Sequence, residues 1–177
     1  AAEAYAKGWT GKGAVLGVID TYQQTNHPEL NGKYKWYNDY TRYDNTVSTL
    51  GNTQVHGTHV AGIIAAKKDG TGNHGVAFDA ELVGANVDYH GFGGISKGRA
   101  QQALHDFAKL KDPNGENMNI VAVNMSFNTP QLFTDGNGST VTQLSDGTYN
   151  ASEITAKMNS GDGQGKYWKV ATDNDII

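Results

Sequence analysis

The sequence predicts an α/β fold in which a mainly parallel central sheet carries helices on both faces. Short continuous apolar runs, typical of buried parallel strands, recur at residues 14–19, 81–87 and 120–125. Helical patterns of apolar residues at 57–66 and 97–110 separate these runs. Strand and helix therefore alternate along the chain without a domain break, as in layered α/β proteins.

The two helices differ in how clearly their ends are marked. Residues 57–66 are followed by Lys-Lys-Asp-Gly at 67–70, so we expect cations in the last turn and Gly just beyond it. Ser96 is placed to cap the helix at 97–110. That helix has a single buried stripe, formed by Ala100, Ala103, Leu104, Phe107 and Ala108.

The C-terminal third has a different composition. Residues 129–150 are rich in Thr, Gly, Asn, Asp and Ser, which predicts an exposed loop or hairpin. A short helix near 152–158 and a strand at 167–171 are expected to follow.

Composition narrows the classes of function. The chain has 177 residues, enough for one domain with a hydrophobic core, and a net charge of −4. That charge argues against nucleic acid or an anionic membrane as the main partner. The chain contains no Cys and no run approaching the ~20 apolar residues of a membrane span, and no secretion signal opens it.

Two residues are candidates for chemistry. Asp20 follows the first apolar run, at the strand end where ligands gather in open α/β sheets, although it could equally cap a turn through Thr21. His56 opens a predicted helix, whose positive end disfavours imidazolium and so favours a neutral base. We interpret His59 as a structural residue that points into the domain, and Gly62 as a close-packing position. A metal site at His56 and His59 lacks the expected Glu between them.

Four segments together make the chain recognisable. They are Gly-Lys-Gly at 11–13 leading into Val-Ile-Asp-Thr at 18–21, His-Gly-Thr-His-Val-Ala-Gly at 56–62, Gly-Asn-His-Gly-Val-Ala at 72–77, and Val-Asn-Met-Ser-Phe at 123–127. The chain resembles the subtilisin-like (peptidase S8) serine proteases, and most closely the subtilase passenger domains of Gram-negative autotransporters. The resemblance implies that residues 1–177 are the N-terminal portion of one such peptidase domain, incomplete at its C-terminus.

The resemblance implies a catalytic mechanism. Asp20 would orient the imidazole, and His56 would take the proton of a Ser nucleophile. The family places that Ser in a Gly-Thr-Ser-x-Ala setting after the position of Asn174, and no Ser of this chain has that setting. Asn174 would be the side-chain donor of the oxyanion hole, although the preceding Thr-Asp at 172–173 departs from the small residues of the family pattern.

Substrate binding also follows from the resemblance. An extended peptide would lie between two backbone edges, by strand addition. The residues implied are Ser126, Phe127 and Asn128 on one edge, and Phe92, Gly93 and Gly94 on the other. For the second edge, the Gly-rich stretch 91–94, a flexible turn is an equally good interpretation.

The resulting expectation is a serine endopeptidase that cleaves polypeptides and is secreted or displayed on the bacterial surface. Its partner would be the remaining part of the same protease domain. No cofactor is expected in the chemistry. Family members often carry structural Ca²⁺, but the turn at 68–73 contains only one carboxylate and so offers few ligands for this ion. The rivals are an inactive peptide-binding domain of the same fold and, more remotely, a metallohydrolase.

Overall fold

The computed structural model describes residues 1–41, 55–89 and 94–127, and the backbone of 133–134 and 140–141. The predicted helix at 152–158 and strand at 167–171 lie outside these ranges. The described helices are α1 (Ala2–Ala6), α2 (His56–Ala65) and α3 (Lys97–Lys111). The described strands are β1 (Val15–Asp20), β2 (Tyr34–Asp39), β3 (Glu81–Asn86), β4 (Asp88–Tyr89), β5 (Gly94–Ile95), β6 (Ile120–Asn124), β7 (Phe133–Thr134) and β8 (Thr140–Val141).

In the described part of the chain, a four-stranded parallel sheet is the centre of the fold. Its strand order is β2-β3-β1-β6, and every neighbouring pair is parallel. β1 and β3 pair along their whole length, from Val15 opposite Glu81 to Asp20 opposite Asn86. The predicted parallel sheet is confirmed. The sequence does not predict β2, because polar residues interrupt this strand and it contains no continuous apolar run.

The two faces of this sheet are covered by different helices. Alternate side chains of β1 point to opposite sides, as strand geometry requires. Val15 and Ile19 pack with the buried face of α3, whereas Val18 packs with α2. The prediction of helices on both faces is therefore confirmed. The α3 side buries Ala100, Ala103, Leu104, Phe107 and Leu110, and the α2 side buries Val60, Ala61 and Ala65.

Close packing under α3 depends on a glycine in β1. A Cβ atom on Gly17 would lie 2.8 Å from both Phe107 Cε2 and Val123 Cγ2. The fully buried Phe107 ring also meets Trp36 of β2 edge-on, with ring centroids 5.8 Å apart. Phe107 therefore packs against β1 and β2 and is fully buried in this layer.

A register shift in β2 separates its aromatic side chains between the two faces. The shift lies between Tyr34 and Trp36, and such an irregularity changes the face to which the following residues point. Trp36 packs with the α3 side, whereas Tyr34 packs with the α2 side and meets the ring of Tyr37 edge-on. Burial raises the pKa of both tyrosines well above the ordinary value.

The predicted ends of the two long helices are right in one case and wrong in the other. Ser96 caps α3 as predicted, accepting the N–H of Arg99 at 3.5 Å. The predicted cationic end of α2 is wrong, because the helix ends at Ala65 and the lysines lie beyond its last turn. Within 129–150 the described strands β7 and β8 pair antiparallel, which agrees with a hairpin there.

We expect Phe107→Ala to lower the free energy of unfolding by about 3–5 kcal/mol, because it empties the centre of the α3 layer. Denaturant unfolding would measure the change at unaltered slope. His105→Ala, at an exposed position of the same helix, is the matched control and should alter stability by no more than about 0.5 kcal/mol. A loss below about 1 kcal/mol for Phe107→Ala would contradict the packing described.

The raised pKa values of Tyr34 and Tyr37 predict sensitivity to alkali. Each ring ionises near its ordinary pKa of about 10 in the unfolded chain but only at higher pH in the folded one. Their contribution to stability is therefore complete below about pH 10 and declines as the pH rises further. The difference in phenolate absorbance between the wild type and Tyr34→Phe or Tyr37→Phe, recorded beside unfolding, should show each of these rings ionising together with loss of structure. Ionisation of either ring near pH 10 with the fold intact would refute this.

Candidate active site

The four described strands of the central sheet each end in Asp or Asn. These residues are Asp20 on β1, Asp39 on β2, Asn86 on β3 and Asn124 on β6. Because the strands are parallel, their carboxyl ends share one edge of the sheet, where α/β proteins bind ligands. Buried Asn86 donates its Nδ2–H to Asp39 Oδ2 at 3.2 Å. Of these four residues the predicted site contains only Asp20, although the other three strands also end in a polar residue.

The structure brings Asp20 and His56 together at this edge. His56 Nδ1 lies 2.8 Å from Asp20 Oδ1, and the same oxygen accepts the backbone N–H of Thr21 at 2.7 Å. Asp20 is 1% exposed, whereas the His56 side chain is 49% exposed. One member of the pair is thus anchored inside the domain, and the other reaches the surface.

This contact determines what His56 can do. An ionised carboxylate only accepts hydrogen bonds, so His56 Nδ1 carries the proton in the pair. In the neutral ring, Nε2 then has a free lone pair. Because half of the side chain is exposed, a donor from outside can reach Nε2. The arrangement is that of a proton acceptor oriented by a buried carboxylate, with Asp20 also placed to stabilise the imidazolium that would form.

The first turn of α2 is held by the loop that follows β1. The N–H of Gly57 donates to Thr21 Oγ1 at 3.0 Å, and Thr58 Oγ1 accepts the N–H of Gln24 at 2.9 Å. Val55, at the N-cap, makes no side-chain cap, so Thr21 supplies a partner for one of the free N–H groups of the helix start. His56 is the first residue of α2 and is placed by these contacts.

Gly57 permits this approach. A Cβ atom at Gly57 would lie 2.4 Å from the backbone oxygen of Thr21 and 3.0 Å from that of Tyr22. Any side chain would therefore push the start of α2 away from the β1 loop, and His56 with it. The glycine beside the histidine is a requirement of packing between the helix and the loop.

Two interpretations of the same helix are wrong. His59 does not point into the domain but is exposed on α2. Gly62 is not a close-packing position, since a Cβ there would meet no atom within 4 Å. Both errors have one cause: a 10-residue helix at the surface has an outer face, and sequence alone did not show which residues lie on it.

Among the described residues, no group of three or more His, Cys, Asp or Glu side chains could hold a metal ion.

The predicted substrate-binding residues are described only in part. Ser126 is exposed beyond β6, and its Oγ accepts the Nδ2–H of Asn124 at 2.9 Å. Phe127 is half-buried and packs against the core layer under α3. Gly94 pairs antiparallel with Tyr89 in the β4–β5 ribbon. The other predicted residues, Phe92, Gly93, Asn128 and Asn174, lie outside the described ranges.

The turn at 68–73 does not by itself fit a calcium ion. Asp69 Oδ1 already accepts the N–H and the hydroxyl of Thr71, at 3.0 and 2.8 Å, and these bonds hold the pKa of Asp69 below its ordinary value. A second carboxylate borders the turn: Glu29 Oε2 is buried without a hydrogen-bond partner in the described part of the chain. A Cβ on Gly72 would lie 2.7 Å from Glu29 Oε1. Glu29 is therefore the better-placed oxygen ligand for a hard cation.

No helix in the described ranges is long and apolar enough to cross a membrane.

The fold and the site define an α/β protein with a histidine–carboxylate pair at the carboxyl edge of a parallel sheet. Residues 11–175 match the Subtilase family (Peptidase_S8), and the chain belongs to this family. It is 48% identical over 94 residues to an extracellular serine protease of Serratia marcescens, covering 50% of this chain and 8% of that protein. A subtilisin from a Bacillus species is 35% identical over 162 residues, covering 88% of this chain and 36% of its own length.

A solved structure shows the same fold. The crystal structure of a cold adapted subtilisin-like serine proteinase superposes with a TM-score of 0.51 at 27% sequence identity, covering 70% of this chain and 40% of that one. The predicted subtilisin-like fold is thereby confirmed. The chain spans about a third or less of the length of the two sequence relatives described above.

Two glycines of α2 provide a matched test of how the helix start is held. Gly57→Ala should destabilise the protein by about 1–3 kcal/mol, because its Cβ has no room against the β1 loop. Gly62→Ala has open space and should be neutral or stabilise by up to about 1 kcal/mol, since Ala is the better helix former. Thermal or denaturant unfolding decides. Equal effects at the two positions would mean that Gly57 is not a contact requirement.

Proposed function

We propose that the protein is a serine endopeptidase, of which residues 1–177 form the N-terminal portion of the catalytic domain. The observation that carries the proposal is the 2.8 Å contact between His56 Nδ1 and Asp20 Oδ1, with the carboxylate buried and the imidazole half-exposed. A base so oriented is the proton acceptor that nucleophilic attack by a hydroxyl requires. Membership of the subtilase family supports the same reaction.

The mechanism assigns the proton transfers to His56 and the support of its ring to Asp20. His56 Nε2 accepts the Ser hydroxyl proton as Oγ attacks the scissile carbonyl carbon. Asp20 keeps the ring in the required tautomer and stabilises the resulting imidazolium. His56 then gives the proton to the leaving amine as the peptide C–N bond breaks, which leaves an acyl-enzyme. Water, deprotonated by the same histidine, releases the acid and restores Ser.

The nucleophile in this proposal comes from protease sequence beyond these 177 residues. None of the chain's serines stands in a Gly-Thr-Ser-x-Ala setting. The partner of the described edge is therefore the rest of the same catalytic domain, with the Ser delivered to the exposed side of His56.

Substrate contacts follow the family pattern as proposals. Asn174 would donate to the oxyanion, a role whose loss lowers turnover by about 10²–10³-fold in subtilisin itself. A polypeptide would add as a strand between two backbone edges. The described support is the exposed position of Ser126 beyond β6, at the carboxyl edge that also holds His56. The residues assigned to the edges are Ser126, Phe127 and Asn128, and Phe92, Gly93 and Gly94.

Location and ions are further parts of the proposal. Secretion is supported by relatives named as extracellular proteases in Serratia marcescens and Bacillus subtilis, whereas display on the bacterial surface as an autotransporter passenger domain rests on the resemblance alone. The catalytic steps proposed here use no cofactor. If a structural Ca²⁺ binds, Glu29 and the neighbouring turn would hold it.

A fluorophosphonate probe on the full-length protein tests the proposal. The wild type should be labelled on a Ser and should cleave an unfolded polypeptide. His56→Ala and Asp20→Asn should reduce both by about 10⁴-fold or more, a magnitude taken from subtilisins. His59→Ala, at an exposed position of the same helix, is the control and should retain full activity.

Three other results would refute the proposal. An unlabelled wild type that still binds peptides would identify the inactive peptide-binding domain. Inhibition by a chelator without labelling would indicate a metallohydrolase. Full labelling of His56→Ala would remove His56 from the mechanism.

A further inference from the structure

One buried polar residue close to the site has no part in the proposed mechanism. Gln23 lies three residues after Asp20 and is only 1% exposed, which is unusual for Gln. Its Nε2 donates to the carbonyl oxygens of Val18 and Ala85, both at 3.1 Å. Its Oε1 accepts the hydroxyl of Tyr34 at 2.9 Å. Both amide protons and the amide oxygen are therefore used.

A glycine in β3 makes the room for this network. A Cβ on Gly84 would lie 2.5 Å from Gln23 Oε1, 2.7 Å from Tyr34 Cε1 and 2.8 Å from Tyr37 Cδ2. The hydroxyl of Tyr37 accepts the backbone N–H of Gln23 at 3.3 Å. We call Gln23, Tyr34, Tyr37 and Gly84 the amide clamp. It connects the loop after β1 to strands β1, β2 and β3.

The amide clamp also touches the start of α2. The Cβ position of Gly57 lies 2.9 Å from Gln23 Cγ. On either side of Gln23 the same loop bonds the helix start: Thr21 Oγ1 accepts the N–H of Gly57, and the N–H of Gln24 donates to Thr58 Oγ1. Gln23 is thus packed between the sheet that carries Asp20 and the helix that carries His56.

We propose that Gln23 is a positioning residue for the Asp20–His56 pair. Its three hydrogen bonds fix the loop at 21–24 on the sheet, and the loop fixes the first residue of α2. An apolar side chain of equal size would fill the volume, but it would not fix the orientation of the loop relative to the sheet. A buried polar network with all its hydrogen bonds made does fix one geometry. This inference rests on the proposed protease function, because its effect on turnover depends on His56 acting as the base.

The test uses the full-length protein with four variants. Gln23→Met keeps the length of the side chain and removes its hydrogen bonds. Tyr34→Phe removes one bond of the clamp, and the double variant leaves no orphan hydroxyl. Gln102→Met makes the same chemical change at an exposed position of α3, on the opposite face of the sheet, and is the control.

Turnover should respond while substrate binding does not. We expect Gln23→Met to lower kcat by about 10- to 100-fold, as small displacements of catalytic groups do, with KM within about threefold of the wild type. The double variant should recover stability relative to Gln23→Met but not kcat, because the orphan hydroxyl is gone and the loop is still unfixed. Gln102→Met should match the wild type.

A proton NMR signal separates positioning from general stability and needs no activity. The Nδ1–H proton of His56, identified by its absence in His56→Ala, should be visible in the wild type and in Gln102→Met. It should be broadened or lost in folded Gln23→Met, because the bond to Asp20 is no longer held. Should Gln23→Met not fold, Tyr34→Phe serves instead, with an expected loss in kcat of about 3- to 10-fold.

The outcomes keep the two proposals apart. A folded Gln23→Met with wild-type kcat and an unchanged Nδ1–H signal would overturn the positioning role, whatever the wild type does. A wild type that neither cleaves nor labels would end the protease proposal, yet loss of the signal in Gln23→Met would still support the clamp. A parallel rise in KM and fall in kcat with the signal intact would also overturn positioning.

Discussion

The contact between the first turn of α2 and the loop after β1 is the constraint on which the rest of the site depends. It brings a histidine at position 56 to within 2.8 Å of a carboxylate at position 20, and the approach leaves no room for a side chain at Gly57. The loop supplies Thr21 as a hydrogen-bond partner for the helix start. Sheet, loop and helix therefore meet at one place, where the packing of their backbones holds His56 next to Asp20.

The difference in burial between Asp20 and His56 gives the two residues different roles. Asp20 lies inside the domain, and its Oδ2 is buried without a hydrogen-bond partner in the described ranges, so the Oδ1 contacts with His56 and Thr21 carry its stabilisation. Desolvation of this kind strengthens the interaction of the carboxylate with a neighbouring donor. His56, half in solvent, is the member that a group from outside the described part of the chain can reach. Asn86 and Asp39 extend the same polar edge, so the site belongs to the sheet as a whole.

Sequence reasoning succeeded where local pattern and tertiary role coincide. The apolar runs became β1, β3 and β6, and the predicted stripe became the buried face of α3, except that Leu110 and not Ala108 is buried at its end. It failed where a residue's role depends on a neighbour distant in sequence. β2 was missed because its residues are half-buried with aromatic side chains on both faces. The predicted inward position of His59 is wrong, because α2 turns this residue to solvent.

The sequence by itself determined the three apolar strands β1, β3 and β6, the two long helices, the family, and Asp20 and His56 as candidates, because periodicity and short motifs are local properties of a chain. Only the tertiary structure decided why Gly57 is required, which helix covers which face, and that a buried amide at Gln23 connects three strands to the helix start. These facts depend on atoms far apart in the chain coming within hydrogen-bond or van der Waals distance. Spacing along a sequence does not contain such distances.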